Sequence, residues 1–260
     1  MNARTGFYPN AVALQTLVTK EIMRFMRIWS QTLIPPVITT SLYFIIFGKF
    51  IGSQIQPIHG YTYIQYIVPG LVMLSIMTNA YSNTSSSFFL TKFTKSIEEM
   101  LVSPMLNFVM LLGFMLGGTI RGILVGTVVL IISLLFTHIP LQHPVIVVTI
   151  SILASMIFSL GGLVNGIYAK YFDDIAFVPT FIITPLTYLG GVFYSVNQLP
   201  PVWRSISLFN PILAIVDTFR YGFLGISDVS IFWGFTLIGA LLILIFFWAW
   251  MLLVKGVGKV

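Results

Sequence analysis

Six stretches of the chain are apolar over a length close to that of a transmembrane helix. A helix that crosses about 30 Å of hydrocarbon needs about 20 mostly apolar residues. The stretches that meet this requirement are residues 32–51, 62–88, 110–136, 145–168, 175–195 and 231–253. The pattern therefore predicts an all-α polytopic membrane protein with six transmembrane helices, folded as a single transmembrane domain over residues 1–260.

One segment keeps the apolar character of a membrane helix but is interrupted repeatedly. FVPTFIITPLTYLGGVFYSVNQLPPVWRSISLFNPILAIVDTFRYGFLG, residues 177–225, has prolines inside its first apolar run and stays largely apolar after it. Proline suits the first helical turn and asparagine the N-cap, so two short helices are predicted within residues 198–224. Both are too short to cross a bilayer and too apolar for water. We expect a re-entrant hairpin in the outer leaflet that acts as an exit gate; the alternative is an outer lid without a role in transport.

The residues assigned to this gate start the two helices or form a pair on the second one. An acidic and a basic side chain three residues apart on a helix can form an ion pair. The candidate gate residues are Pro200, Pro201, Asn210, Pro211, Asp217 and Arg220.

Residues 11–29 form an amphipathic segment before the first span. Its apolar side chains recur at helical spacing on one face: Val18, Ile22, Phe25, Met26 and Trp29. A second face carries Lys20, Arg24 and Arg27. A basic amphipathic helix of this kind is typical of an interfacial helix that lies in the plane of the membrane surface. It is either an anchor that orients the first span or a lever that receives force from a cytoplasmic partner.

Residues 92–103 form a second amphipathic segment, in the longest loop on the side of the termini. Apolar side chains recur on one face, and Lys95 can pair with either of two adjacent carboxylates. A loop that only reverses the chain could be shorter, so we predict a docking helix for a soluble subunit; the alternative is another interfacial helix. The residues assigned to coupling with that subunit are Lys20, Arg24, Arg27, Lys92, Lys95, Glu98 and Glu99.

Composition supports a membrane location and charge distribution gives an orientation. Hydrophobic residues make up 57% of the chain and charged residues 8%, against about 25% charged residues in a soluble domain. The net charge is +6, but the basic residues form no run or stripe, and we expect no binding to nucleic acid. Lysine and arginine mark cytoplasmic loops. With both termini in the cytoplasm, nine basic residues fall in inner segments and three in outer segments, which favours this orientation.

Several kinds of chemistry have no counterpart in the sequence. No P-loop motif, nucleophile elbow or zinc-protease motif occurs, and the absence of cysteine excludes disulfides. All seven acidic residues lie between the predicted spans, whereas ion-coupled transporters usually keep ionisable groups near the membrane centre. We therefore expect no catalytic, cofactor-binding or metal-binding residue in this chain.

Arg121 is the one charged residue near the middle of a predicted span. An arginine at the bilayer centre costs about 2.5–3.5 kcal/mol on insertion scales. Either it faces the translocation pathway and meets an anionic lipid or substrate group, or residues 107–118 are interfacial and Arg121 extends to the inner headgroups. We favour the second interpretation. Glycines at close spacing around it, and again within residues 161–166, predict close helix contacts, within one bundle or with a second copy.

The order of these parts resembles the membrane subunits of type-2 ABC exporters, and in particular the YadH-like inner-membrane permeases. The resemblance rests on KEIMRFMRIW, QTLIPPVITTSLYFIIFG, YIVPGLVML, KSIEEMLVSP and FVPTFIITPLTYLGGVFYSVNQLPP, and it covers nearly the whole chain. It implies that residues 11–29 are the interface helix, 92–103 the coupling helix and 198–224 the re-entrant hairpin. It also implies a homodimer in the inner membrane with two ATPase domains, which would bind ATP and Mg²⁺.

The resemblance does not select a cargo, because the family exports polysaccharides, teichoic acids, nodulation lipo-oligosaccharides and drugs. The expected function is outward transport of a lipid-linked, glycan or drug-like substrate, driven by a separate ATPase subunit. One rival is a membrane scaffold that docks a cytoplasmic partner without transport. A second rival is a lipid-modifying enzyme that uses His138 or His143 with Asp217 or Asp228.

Overall fold

A computed structural model describes residues 7–52, 54–103 and 105–256 of the chain. These residues form eleven α-helices and, among them, no β-strand. The helices are α1 (Phe7–Arg27), α2 (Trp29–Tyr43), α3 (Tyr63–Phe93), α4 (Ser96–Val102), α5 (Asn107–Ser133), α6 (Pro144–Tyr168), α7 (Phe172–Val178), α8 (Thr184–Tyr188), α9 (Pro201–Leu208), α10 (Pro211–Leu224) and α11 (Ile231–Lys255). The prediction of an all-α polytopic protein is confirmed.

Five helical segments in the described ranges are long and apolar enough to cross a membrane: Trp29–Gly48, α3, α5, α6 and α11. They match five of the six predicted spans. The first continues past α2 as a π-helix, Phe44–Ile51. The remaining predicted span, 175–195, is helical only up to Tyr188, as α7, a π-helical turn and α8 in succession, so six crossings remain a prediction.

Prolines explain the irregular, π-helical turn within this segment. α7 passes into a π-helical turn, Pro179–Ile183, and then into α8. Pro179 has no N–H to donate to the carbonyl four residues earlier, which belongs to Ile175. The Asn165 side chain of α6 donates to that carbonyl at 3.2 Å. The carbonyl of Pro179 accepts the backbone N–H of Thr184, five residues later. The neighbouring helix α6 thus supplies a donor for the carbonyl that Pro179 leaves free.

α3 lies at the centre of the bundle and is buried along most of its length. Glycines of α5 and α6 bring these two helices against it. A Cβ atom added at Gly122 would lie 2.8 Å from the carbonyl oxygen of Ile76 in α3. One added at Gly166 would lie 3.0 Å from the carbonyl oxygen of Ser85. These glycines therefore build the bundle of a single chain, which decides between the two alternatives that the sequence left open.

The first helix runs alongside α5 instead of crossing the bundle. The Asn10 side chain accepts the backbone N–H of Leu106, and Glu21 packs on Gly117. Both pairs are separated by 96 positions in sequence, so the two helices are parallel over about three turns. The structure thus fixes α1 along the first turns of α5, and its place in the plane of the membrane surface stays a prediction.

The face of α1 that packs on the bundle is distinct from most of the predicted membrane-facing side chains. Leu17, Glu21 and Phe25 point into the bundle, whereas Met26 and Trp29 are exposed. The glycine surface of α5 leaves room for the Glu21 side chain at Gly117, while Met26 and Trp29 remain available to contact lipid.

Candidate functional site

The predicted coupling segment 92–103 is divided into two structural parts. Lys92 belongs to the last turn of α3, and a turn follows in which Lys95 adopts a left-handed conformation with φ of 59°. The helix itself is α4, only seven residues long. Its Ile97 is buried in the bundle, whereas Glu98 and Glu99 are exposed in its first turn. The outer surface of α4 is therefore acidic.

The predicted ion pairing within this segment is absent. Within the described ranges, the ion pairs are Arg24–Glu21 and Arg220–Asp217, and neither involves Lys95. Its exposed ammonium and the two exposed carboxylates of α4 are free to contact a partner.

Lys92 ties the end of α3 to the end of α6. Its Nζ donates to the carbonyl oxygens of Ile167 at 2.6 Å, Ala169 at 2.9 Å and Gly166 at 3.4 Å. The last carbonyls of a helix lack intrahelical partners and attract cations. Lys92 therefore joins the two helices that α4 and α7 follow, instead of facing solvent as a docking residue.

A polar cluster lies between α1, α3 and α5. Glu21 is fully buried and accepts from the Ser87 hydroxyl at 2.5 Å and from Asn83 Nδ2 at 3.3 Å. The guanidinium of Arg24 donates to Glu21 at 3.3 Å and to Asn83 Oδ1 at 2.8 Å. Arg121 reaches the same Asn83 oxygen at 3.4 Å. Arg24 and Arg121 thus converge on one side chain.

The α9–α10 hairpin begins as the proline and asparagine pattern predicts. Pro200 precedes α9, and Pro201 is its first residue. Asn210 is the N-cap of α10: its Oδ1 accepts the backbone N–H of Ile212 at 2.9 Å, and Pro211 is the first helical residue. Asn210 Nδ2 also donates to the carbonyl of Leu186 at 2.6 Å. The hairpin is thereby joined to α8.

Asp217 and Arg220 form the expected ion pair, and both side chains are buried. Arg220 Nη1 lies 3.7 Å from Asp217 Oδ1. Arg220 Nη2 donates to the carbonyl of Gly191 at 2.6 Å, and the guanidinium lies over the Tyr66 ring, 4.0 Å from its centre. This arginine therefore fixes α10 to α3 and to the turn after α8.

Asp228, which the sequence suggested only as a residue of the enzyme alternative, extends this network. Asp217 accepts the backbone N–H groups of Asp228 at 3.0 Å and Val229 at 2.9 Å. The Asp228 carboxylate accepts from the Ser195 hydroxyl and from the N–H of Val196, both at 2.8 Å. Both carboxylates hold loop backbone in place, which does not suit them to act as the base of an enzyme.

The two histidines of the enzyme alternative do not join these carboxylates in a catalytic arrangement. The His143 ring stacks on Tyr221, with centroids 4.8 Å apart. The backbone carbonyl of His138 accepts a hydrogen bond from Gln65. In the part of the chain that the structure describes, no group of histidine, cysteine and carboxylate side chains could hold a metal ion.

A groove with a cavity of about 390 Å³ lies between α2, α3 and the α7–α8 segment. One wall carries Pro35, Pro36 and Thr39 of α2. Hydroxyl and amide side chains line the α3 wall, among them Ser75 and Asn79. The groove is mixed in polarity, and Arg121 is not among its lining residues.

Comparison with known proteins identifies the family. The family model for ABC-2 type transporters matches residues 12–224. The chain is 51% identical over 247 residues to the inner membrane transport permease YadH of Escherichia coli (strain K12), covering 95% of this chain and 96% of the relative. It is 28% identical over 182 residues to nodulation protein J of Rhizobium leguminosarum bv. viciae, covering 68% of this chain and 69% of the relative.

These matches agree with a multi-pass membrane protein that has several apolar helices and no enzymatic role of its own. The resemblance drawn from the sequence motifs is confirmed over most of the chain. This protein therefore belongs to the ABC-2 type transporter family of membrane permeases.

Proposed function

We propose that this permease is the membrane-spanning subunit of an ATP-driven exporter. Two copies enclose the pathway, and separate ATPase subunits bind ATP and Mg²⁺ and dock on the cytoplasmic side, where both termini lie. The observation that carries this proposal is α4, whose Glu98 and Glu99 are exposed while Ile97 anchors it in the bundle. The chain has no P-loop of its own, so its energy must come from a partner.

Force applied to α4 has a short route into the bundle. The turn at Lys95 connects α4 directly to α3, and Lys92 joins the end of α3 to α6. The Phe93 and Phe89 rings of α3 contact the Phe172 ring of α7 at 5.0 and 4.9 Å. Movement of α4 would therefore shift α3, α6 and the α7–α8 segment together.

The groove between α2, α3 and α7–α8 is the part of the surface best suited to form half of a pathway. Its lining combines apolar side chains with the hydroxyls of Ser75 and Thr78, which suits an amphipathic cargo. A second copy facing this groove would close it. We assign the α9–α10 hairpin to the exit, with the α7–α8 segment as the fifth of six crossings. The cargo class is a lipid-linked, glycan or drug-like molecule.

Charge reversal on α4 tests the coupling. The double variant Glu98→Lys/Glu99→Lys should abolish stimulation of the partner ATPase by the permease in proteoliposomes. The reason is that the acidic contact surface of α4 becomes basic, which removes its charge complementarity to the partner. The matched control is Asp173→Lys, an exposed carboxylate of α7 outside α4, which should leave stimulation within about twofold. Normal stimulation by the double variant would rule out α4 as the docking helix.

The scaffold rival makes a different prediction for the same preparation. A scaffold would retain the bound partner but would not move any substrate across the bilayer. Wild-type proteoliposomes that bind the ATPase and show ATP-dependent vectorial transport would exclude it. Binding without transport of any of the three cargo classes would favour it.

A further inference from the structure

A second cavity, of about 800 Å³, lies along the solvent-exposed side of α1, next to Leu90 in the last turns of α3. Lys20, Arg24 and Arg27 line it, and none of its lining residues is acidic. Three cations around one cavity repel one another unless an anion neutralises them. The cavity therefore favours a negatively charged occupant.

The polar cluster behind the cavity fixes one of these cations and adds to the positive charge. Asn83 and Glu21 hold the Arg24 guanidinium through the bonds described above, while Arg24 Nε is buried without a hydrogen-bond partner. Arg121 brings a second guanidinium to Asn83, and its Nε is also buried without a partner. Glu21 balances only one of these two positive charges, so the wall of the cavity carries a net positive charge.

The rim of the cavity is apolar and exposed. Met23, Ile28 and Leu90 line it beside the cations, and Met23 is 63% exposed. Trp29, which begins α2, is 58% exposed next to this rim. Tryptophan is enriched at membrane–water interfaces. A basic pocket with an apolar rim suits a ligand that has an anionic head and a hydrocarbon tail.

We propose that this cavity binds the phosphate group of an anionic membrane phospholipid. The phosphate contacts Lys20, Arg24 and Arg27, and an acyl chain lies along Met23 and Leu90. A soluble phosphate would use the cations but would leave the apolar rim in water, which is why the lipid fits better. The site is independent of the proposed coupling through α4, because lipid binding can be measured without the ATPase.

The test is native mass spectrometry of the full-length chain titrated with phosphatidylglycerol or phosphatidylcholine of equal chain length. The variant Lys20→Gln/Arg27→Gln removes two exposed cations and keeps the packed Arg24. Each basic residue near an anionic lipid contributes about 1 kcal/mol, so affinity for phosphatidylglycerol should fall about thirtyfold. Affinity for phosphatidylcholine should not change. The control variant Lys170→Gln/Lys255→Gln, with the same change of charge outside the cavity, should bind phosphatidylglycerol as the wild type does.

Three results would overturn the proposal. One is equal affinity of wild type and Lys20→Gln/Arg27→Gln for phosphatidylglycerol. Another is full displacement of the lipid by millimolar inorganic phosphate, which would assign the site to a soluble anion. The third is a double variant that keeps the lipid but loses a co-purifying ATPase subunit, which would make the cavity a protein-docking surface.

Discussion

The buried ion pair of Asp217 and Arg220 on α10 allows a quantitative prediction. The perturbation is Arg220→Met, which keeps a long flexible side chain and removes the charge. The Arg220 side chain is 1% exposed and that of Asp217 is 3% exposed. Removal of one partner leaves the other charge buried without its counter-ion, a change that typically costs 3–5 kcal/mol.

The geometry places the expected cost toward the lower end of this range. At a separation of 3.7 Å and an effective dielectric constant of about 20, the attraction between the charges is about 4.5 kcal/mol. The Asp217 carboxylate keeps its backbone N–H donors from Asp228 and Val229 after the substitution, which limits the penalty. We expect Arg220→Met to destabilise the protein by about 3 kcal/mol, and Asp217→Asn by about 2 kcal/mol.

A double-mutant cycle measures the pair itself. Equilibrium unfolding in mixed micelles would be followed by tryptophan fluorescence for the wild type, both single variants and the double variant. The coupling energy should be about 2 kcal/mol, since residues in one ion-pair network usually couple by about 0.5–3 kcal/mol. The exposed substitution Glu98→Gln controls for nonspecific effects and should stay within about 0.5 kcal/mol. Additive effects, or single costs below about 1 kcal/mol, would refute the buried pair.

Two further predictions concern helix contacts. Gly122→Ala should lower the free energy of unfolding by about 1–3 kcal/mol, because the added methyl group overpacks against the Ile76 carbonyl. The control Gly239→Ala, with no atom within 4 Å of an added Cβ, should be neutral or stabilising. Equal unfolding free energies of the two variants would contradict this packing. Lys92→Met should accelerate amide hydrogen exchange at the residues after Ile167, because three carbonyls lose a charged donor worth about 1.5–3 kcal/mol in hydrogen bonding. Unchanged exchange at these residues would count against the Lys92 link between α3 and α6. Substitution of the exposed Lys95 by Met should have no such effect.

Local signals in the sequence predicted the elements whose cause is local. Asn210 followed by Pro211 marks the start of α10 because an N-cap and a first-turn proline act within a few residues. The spacing of Asp217 and Arg220 predicted their pairing for the same reason. The apolar stretches located five spanning helices because hydrophobic length is a property of each segment alone.

Features that depend on which helices meet could not be predicted in this way. Glu21 lies on the buried face of α1 only because Gly117 of α5 leaves space for it. Lys92 reaches the end of α6 only because that helix ends beside α3. Neither partner is near in sequence, so apolar periodicity indicated neither contact, and Lys92 was assigned to a docking surface. Glycines four residues apart in α5 were the available signal, but they do not name the helix that packs on them.

The distance along α3 between the contacts of two arginines can be compared with the thickness of the membrane. Arg220 lies over Tyr66 and Arg121 contacts Asn83, seventeen positions apart on one helix, which is about 25 Å at 1.5 Å per residue. This separation is close to the thickness of about 30 Å of the hydrocarbon layer. If Arg220 lies near the outer boundary, Arg121 lies near the inner one. There the ionised side chains of Arg121, Arg24 and Glu21 can reach headgroups and water. The spacing therefore favours the interpretation of Arg121 as a residue of the inner boundary over its assignment to the pathway.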